Sequence, residues 1–180
     1  MKRWAALFLA VLAGSAAAQF GSFPRSDKEN YYDDEDEKPW QEQKEVDLPA
    51  FPNQADLAEF YVSSAATNKF FIDASTLAVG ADGVVRYVLV VKASGGATNV
   101  SFEGINCKDR SWKLYATGRS DNSWNRSQAS RVQWRPIENK PVNRHHAALS
   151  RDFFCPGGIA IYTADEGRNA LRLGKHPNSL

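Results

Sequence analysis

The 180-residue sequence is poor in the residues that most catalytic and metal sites use. It has three histidines, two cysteines and one methionine. It contains neither the Gly-X-Ser-X-Gly elbow of hydrolases nor the His-Glu-X-X-His zinc motif. His145 and His146 are adjacent, so on a helix they point about 100° apart and do not face one ion together. We therefore assign no catalytic residue and expect neither a metal nor a cofactor.

Long apolar runs are also missing. A helix that crosses a bilayer needs roughly 20 apolar residues, and the apolar run at residues 4–13 is about half that length. Two basic residues precede this run and three alanines at 16–18 follow it, which is the pattern of a cleaved signal peptide. We predict a signal peptide over residues 1–18 and a mature chain that begins at Gln19. Because Gln19 is not a cysteine, we expect no lipid anchor and no integral membrane segment after cleavage.

Charge is balanced overall but unevenly distributed. The chain has 22 basic and 21 acidic residues, and ten of the acids lie between residues 27 and 47 beside only three lysines. This region also lacks hydrophobic periodicity, so it cannot bury enough apolar surface to offset the entropy of ordering it. We predict a disordered acidic arm over residues 19–47. The mildly basic remainder, residues 48–180, has the length of a single domain.

Cys107 and Cys155 are an even pair in a chain predicted to be exported. In an oxidising compartment two such thiols are usually joined. The alternative is a catalytic thiol, but neither cysteine belongs to a Cys-X-X-Cys pair. We predict one disulfide, which in the chain-entropy model stabilises the fold by on the order of 4 kcal/mol.

Hydrophobic periodicity predicts a sheet between two helical regions. The Asp82-Gly83 pair and other short connections indicate antiparallel neighbours, and the strand at 84–92 is apolar on both faces, as in a sheet covered on both sides. The predicted elements are a helix at 53–63, strands at 70–79, 84–92, 100–107, 112–117, 131–137 and 159–162, a helix at 143–154, and a weak helix or tail at the end. This is an α+β fold: an antiparallel β-sheet domain with a C-terminal helix tied to the sheet by one disulfide, preceded by the disordered acidic arm.

Four segments carry a resemblance to a known family. Residues 82–87, 99–107, 112–116 and 153–156 look like the CNP-one-like family of exported bacterial proteins. The resemblance covers roughly residues 48–165. It implies a protein of the Gram-negative envelope and hence a periplasmic location for the mature chain. It brings no established activity, so no functional residue is transferred to this sequence.

Tryptophan and arginine alternate between residues 112 and 140. Guanidinium groups beside indoles can hold an anionic polymer or the face of a glycan. The alternative is that the tryptophans fill the core while the arginines solvate loops. As candidate ligand-binding residues we select Trp112, Arg119, Trp124, Arg126, Arg131, Trp134 and Arg135. The expected partner is an anionic envelope polymer or an envelope protein, and nucleic acid is not expected for an exported chain of such modest charge.

Two function classes follow from these patterns. The favoured one is a non-catalytic binding or interaction module of the envelope, in which the acidic arm docks on residues 119–140 and competes with an anionic ligand. The alternative is a periplasmic enzyme of hydrolase type with a site assembled from scattered residues, namely Asp73, Arg86, Glu103 and His146. A pocket that gathers two or more of these four would favour the enzyme.

Overall fold

The computed structural model describes residues 39–128 and 133–179. The predicted signal peptide, residues 19–38 of the predicted arm and the candidate residue Arg131 lie outside the described residues. Seven strands are described: β1 (Leu57–Phe60), β2 (Lys69–Val79), β3 (Val85–Lys92), β4 (Thr98–Asn106), β5 (Ser111–Gly118), β6 (Trp124–Arg126) and β7 (Arg135–Pro136). They form one antiparallel sheet in the order β1-β2-β3-β4-β5-β6, and β7 also pairs with β5. The predicted antiparallel sheet is confirmed.

Short turns explain the meander. Between β2 and β3 the Asp82-Gly83 pair forms the predicted hairpin, in which Gly83 has a φ of +76° and its amide donates to the carbonyl of Gly80. A positive φ is accessible to glycine because it lacks Cβ. At the other end of the sheet, β6 pairs with the last residues of β5 and β7 with its first two. The edge of β5 is thus shared by two short strands.

Helical elements cover one face of the sheet, here called the helix face. Helix α1 (Arg144–Ala148) continues as a π-helix (Leu149–Phe154), and α2 (Ala164–Leu173) follows. The core of this face is apolar and includes Ile72, Tyr87, Leu89, Ile105, Leu149, Phe153, Phe154, Ile161 and Leu171. The predicted helix at 143–154 is confirmed, although Asn143 makes no side-chain cap. In the described part of the chain, no helix combines the length and apolar character that crossing a bilayer requires.

The predicted disulfide joins the helix face to the sheet. Cys107 directly follows β4 and Cys155 directly follows the π-helix, with 5.5 Å between their Cα atoms. Both cysteines are buried in the core of the helix face. The bridged strand is the fourth of the sheet, whereas the sequence placed it third, because β1 was not predicted as a strand.

An extended segment, residues 39–51, covers the opposite face, here called the segment face. Its Val46 and Leu48 pack against a second apolar cluster that includes Val88, Val90 and Phe102. The prediction that β3 lies between two covers is therefore confirmed. Residues 39–47, which composition assigned to the acidic arm, lie on this face and make hydrogen bonds to it.

The helix predicted at 53–63 is wrong. Asn53 does cap a 3-10 turn (Gln54–Asp56) by accepting from the amide of Ala55, but the chain then enters β1 and pairs with β2. Leu57 and Phe60 are three apart, which would place them on one side of a helix. In β1 they point to opposite faces, and each reaches one of the two apolar clusters.

In the second half of the domain one prediction is wrong, and another is confirmed only in part, since residues 131 and 132 lie outside the described residues. The strand expected at 159–162 is irregular, because Ile159 and Tyr162 are exposed and only Ile161 enters the core. The strand expected at 131–137 is described only as Arg135–Pro136. The weak helix or tail is the regular helix α2, which Thr163 caps by accepting from the amide of Glu166.

Candidate anion-binding site

The site begins with the alternation of β5 on the segment face. Lys113 and Tyr115 point to this face, while Trp112 and Leu114 point to the helix face. Gly104 lies beside Lys113 in the neighbouring strand β4. A Cβ atom at Gly104 would lie 2.9 Å from the Tyr115 ring, so the glycine makes room for that ring. Local sequence thus positions an ammonium group and a phenol next to each other on the sheet.

The carboxylate of Glu42 occupies the space in front of these two side chains. Lys113 Nζ donates to Oε1 at 2.9 Å and to Oε2 at 2.7 Å. The hydroxyl of Tyr115 donates to Oε1 at 3.0 Å, and Nε1 of Trp134 donates to Oε2 at 3.1 Å. Each carboxylate oxygen therefore accepts two hydrogen bonds, and three side chains of the domain together donate these four bonds. Such charge-assisted bonds are stronger than bonds between neutral groups.

Aromatic rings flank the cation of this site. The Lys113 ammonium lies 5.5 Å from the ring centroid of Tyr115 and 5.7 Å from that of Trp134, within cation–π range. Burial raises the pKa of Tyr115; nearby Arg86 opposes this effect and the Glu42 carboxylate adds to it. The phenol is therefore neutral and able to donate at physiological pH.

A buried ion pair holds the segment next to this carboxylate. Arg86 donates to both carboxylate oxygens of Asp82, at 3.0 and 2.6 Å, and the two side chains are only 6% and 3% exposed. Burial acts to raise the pKa of Asp82, but the hydrogen bonds from Arg86 and from the amides of Gln43 and Val84 lower it. Gln43 donates to Asp82 through its amide, and Nε1 of Trp40 donates to the Asp82 carbonyl. Gln43, which follows Glu42, and Trp40, which lies two residues before it, are thus attached to the β2–β3 turn.

Two cavities open beside the site. One, of about 390 Å³, is lined by Arg126 and Arg135 together with Leu114, Asn125, Ser127, Gln128 and Gln133. The other, of about 360 Å³, contains Glu42, Lys113 and Tyr115 in its wall. Arg126 and Ser127 line both cavities, so the two spaces are adjacent.

The structure divides the sequence-selected tryptophans and arginines between the two faces. Trp112 lies in the core of the helix face, where its ring stacks on His146 at 3.8 Å. The Arg135 guanidinium lies 5.5 Å from the Trp112 ring and also lines the larger cavity. For Trp112 the core alternative therefore describes the contacts better than a ligand contact does.

The remaining candidates lie near the segment. Trp124 donates to the carbonyl of Pro49, and Arg126 donates to the carbonyl of Val46. Trp134 donates to Glu42, as described above. Arg119 is the exception: it donates to Asn125 at the exposed start of the β5–β6 turn.

Glu103 and His146, two of the four residues of the enzyme hypothesis, are in contact on the helix face. Nε2 of His146 lies 2.8 Å from Oε2 of Glu103, and this oxygen also accepts from the Tyr87 hydroxyl. Ser101 donates to the other oxygen. Burial acts to raise the pKa of Glu103, but the hydrogen bonds from His146 and Ser101 lower it.

The other two residues of the enzyme hypothesis, Asp73 and Arg86, have different partners. Asp73 accepts from Ser75, and Arg86 is bound to Asp82 on the other face. The side chains of His146 and Glu103 are 2% and 6% exposed, so a substrate in solution does not reach them. The carboxylate of Glu103 is fully hydrogen-bonded inside the core, whereas Nδ1 of His146 is buried there without a hydrogen-bond partner among the described residues.

Sequence reasoning missed Glu42, Lys113 and Tyr115. Glu42 was one acid among ten, and its partners lie 71 to 92 residues further along the chain. The alternation of β5 gave one usable signal: a lysine and a tyrosine share the face opposite Trp112 and Leu114.

Comparisons with known proteins decide the relationship. The CNP1-like family matches residues 35–172, which is more than three quarters of the chain. The chain belongs to the CNP1-like family. It is also 28% identical over 183 aligned residues to Cryptic neisserial protein 1 of Neisseria gonorrhoeae, an alignment that covers 91% of this chain and 89% of that protein. No solved structure matches the chain.

Membership of the CNP1-like family confirms the resemblance that the four segments suggested. The family match begins at residue 35, so it includes Glu42 and the covering segment as well as the sheet and most of α2. The segment face, with its cover, therefore lies inside the region that characterises the CNP1-like family.

Proposed function

We propose that this protein is an exported, non-catalytic binding module that binds an anionic polymer of the bacterial envelope at the edge of β5, between β6 and β7, and on the adjoining segment face. The observation that carries the proposal is the cavity of about 390 Å³ lined by Arg126 and Arg135. Such a volume lies in the range of ordinary ligand sites. Arginine side chains carry planar guanidinium groups, which are multidentate donors for carboxylate or phosphate groups, and two of them line this one cavity.

The other residues around the cavity support a polar anionic ligand. Three amide side chains, from Asn125, Gln128 and Gln133, supply further donors and acceptors. None of the described residues that line this cavity is acidic. The adjacent Lys113 and Trp134 extend the same chemistry across β5. Clefts lined by charge of one sign raise the local concentration of ligands of the opposite sign.

A binding experiment tests the proposal. The mature protein is titrated with short oligoglutamate, with oligophosphate and with neutral dextran, and is mixed with isolated peptidoglycan sacculi in a sedimentation assay. Wild-type protein should bind at least one anionic probe, more strongly at low salt because screening is weaker there, and should not bind dextran. The double variant Arg126→Gln/Arg135→Gln should bind at least tenfold more weakly.

A matched control separates a site from general charge attraction. Arg110 and Arg151 line another cavity, beside the disulfide, and the variant Arg110→Gln/Arg151→Gln removes the same number of charges. Its binding should stay close to that of the wild type. An equal loss in both double variants, or no binding to any anionic probe, would contradict the proposal.

Export is part of the proposal and has its own test. The basic start, the apolar run at 4–13 and the three alanines support secretion and cleavage before Gln19. Fractionation of a Gram-negative host that expresses the full chain should find the protein in the periplasm with Gln19 as its first residue. A cytoplasmic product that retains residues 1–18 would contradict this part.

The enzyme alternative keeps one favourable observation, the contact between Glu103 and His146. It receives less support than the binding module, because the pair is buried and its carboxylate already accepts hydrogen bonds from Ser101 and Tyr87. A hydrolase activity that is lost in His146→Gln while the protein stays folded would favour the enzyme instead.

A further inference from the structure

The carboxylate of Glu42 shows what the segment face can bind, because it is itself a bound carboxylate. Its donors, Lys113, Tyr115 and Trp134, belong to or directly precede strands of the sheet, and their positions are set by strand pairing. Glu42 belongs to an extended segment outside the sheet. The donors therefore form a site that the fold builds, and Glu42 is its present occupant.

The occupant is held by contacts that solvent and ligands can compete for. The side chains of Lys113 and Glu42 are 15% and 21% exposed, in contrast to the 6% and 3% of the nearby Arg86–Asp82 pair. Glu42 also lines the cavity of about 360 Å³ that is adjacent to the Arg126 and Arg135 cavity. An anionic chain that lies between the two arginines is thus next to the Lys113 site.

The geometry of the donors selects a carboxylate. One oxygen of Glu42 accepts from Lys113 and Tyr115, and the other accepts from Lys113 and Trp134. Lys113 bridges the two oxygens, and one neutral donor serves each of them. This pattern matches a planar group with two oxygens better than a tetrahedral phosphate with three.

We propose that Lys113, Tyr115 and Trp134 form a carboxylate subsite of the anion-binding face, and that Glu42 occupies this subsite as an intramolecular competitor. The inference rests on the proposed function, since it names the ligand chemistry of the same face. The ligand is a polymer that carries carboxylates, such as a glutamyl-containing chain. Binding exchanges one carboxylate for another, so the ligand must overcome the high effective concentration of a tethered group.

The test is calorimetric titration of the mature protein with short oligoglutamate and, separately, with oligophosphate. Glu42→Ala should bind oligoglutamate about tenfold more tightly than the wild type, because the competitor is gone. Glu45→Ala is the matched control: Glu45 lies in the same segment, is exposed and carries the same charge. Its affinity should stay close to that of the wild type. Adding Lys113→Met to Glu42→Ala should abolish the gain in affinity for oligoglutamate.

The outcomes separate this inference from the proposed function. Suppose that Glu42→Ala binds oligoglutamate no more tightly than Glu45→Ala does, while Arg126→Gln/Arg135→Gln still weakens binding. The proposal that Glu42 is a competitor is then wrong, and the proposed binding module stands. An equal gain for oligophosphate would overturn the carboxylate assignment. If no variant binds either probe, both proposals fail.

A second measurement uses the unmodified chain, in case Glu42→Ala does not fold. Displacement of Glu42 should loosen the segment around Lys44, which is exposed. Oligoglutamate should then accelerate tryptic cleavage after Lys44, and dextran should not. Unchanged or slower cleavage at saturating oligoglutamate would overturn displacement.

Discussion

The helix face and the segment face of the sheet are covered by different means. On the helix face, Leu149, Phe153 and Phe154 are buried against the strands and a disulfide fixes the cover in place. On the segment face, an extended chain lies over an apolar cluster that includes Val88, Val90 and Phe102. It is attached by hydrogen bonds that Trp40 and Gln43 donate and that the carboxylate of Glu42 accepts. Apolar burial stabilises the first cover. The second cover depends more on hydrogen bonds, which water or a ligand can form in place of the segment.

The polar groups of the two faces differ in the same way. Glu103 and His146 on the helix face are buried, and Glu103 accepts hydrogen bonds from Ser101 and Tyr87. Glu42 and Lys113 on the segment face are partly exposed and line the cavity of about 360 Å³. The comparison teaches that the most buried contacts belong to the helix face, whereas the binding site that we propose involves the more exposed polar groups of the segment face.

Truncation of the two covers should show the largest difference. Phe153 is 1% exposed and packs on Phe60, so Phe153→Ala should lower the free energy of unfolding by about 3–5 kcal/mol. Leu48 is only partly buried, and Leu48→Ala should lower it by about 1–2 kcal/mol. Urea denaturation measures both values. Equal losses would remove the distinction between the covers.

Loss of the disulfide should come next. The bridge spans 48 residues, and Cys107→Ser/Cys155→Ser should lower the free energy of unfolding by about 4 kcal/mol in the chain-entropy model. Both cysteines belong to the helix face, so the folded fraction should still bind oligoglutamate as the wild type does. A folded double variant that has lost this binding would show that the two faces are coupled.

Acid should act through the helix face. Burial, with a smaller contribution from the neighbouring His146 and against an opposing effect of Glu103, lowers the pKa of His145 from 6.5 to about 4. Between these values the unfolded chain binds a proton that the folded chain does not, so stability falls as pH falls. The loss from pH 7 to pH 4 should be about 3 kcal/mol.

His145→Gln should flatten this pH dependence. The lowered pKa of Glu103 adds a further loss only as pH falls below its ordinary value of 4.5. On the segment face the pKa of Asp82 is lowered from 3.8 and that of Tyr115 is raised from 10.0. Neither shift therefore adds to the pH dependence of stability between pH 4 and 7. Thermal unfolding across pH 4 to 7 checks the expectation, and an unchanged slope in His145→Gln would contradict it.

The smallest effect is expected for the proposed competitor. Glu42→Ala should lower the free energy of unfolding by only about 1 kcal/mol, because the carboxylate is partly exposed and its bonds are exchangeable. Glu45→Ala should stay within about 0.5 kcal/mol of the wild type. A loss above about 3 kcal/mol for Glu42→Ala would show that Glu42 is a structural residue and that the segment face resembles the helix face in its contribution to stability.

Prediction from the sequence succeeded where local pattern and tertiary structure agree. Alternation located the strands from β2 to β5, the Asp82-Gly83 pair located the turn between two of them, and two cysteines in a chain predicted to be exported predicted the bridge. It failed at β1, because Leu57 and Phe60 have helical spacing that also suits a strand between two covered faces. It failed at 159–162, where Ile159 and Tyr162 are exposed although both are apolar enough to suggest a buried strand.

The sequence by itself determined the antiparallel sheet, the helix at 143–154 and the pairing of Cys107 with Cys155. These depend on neighbouring residues, on turn chemistry and on the count of cysteines. Only the tertiary structure decided that Trp112 is a core residue and that Glu42 lies between Lys113, Tyr115 and Trp134. A carboxylate 71 to 92 residues away in the chain reaches these donors through the meander of the sheet, and no local pattern encodes that contact.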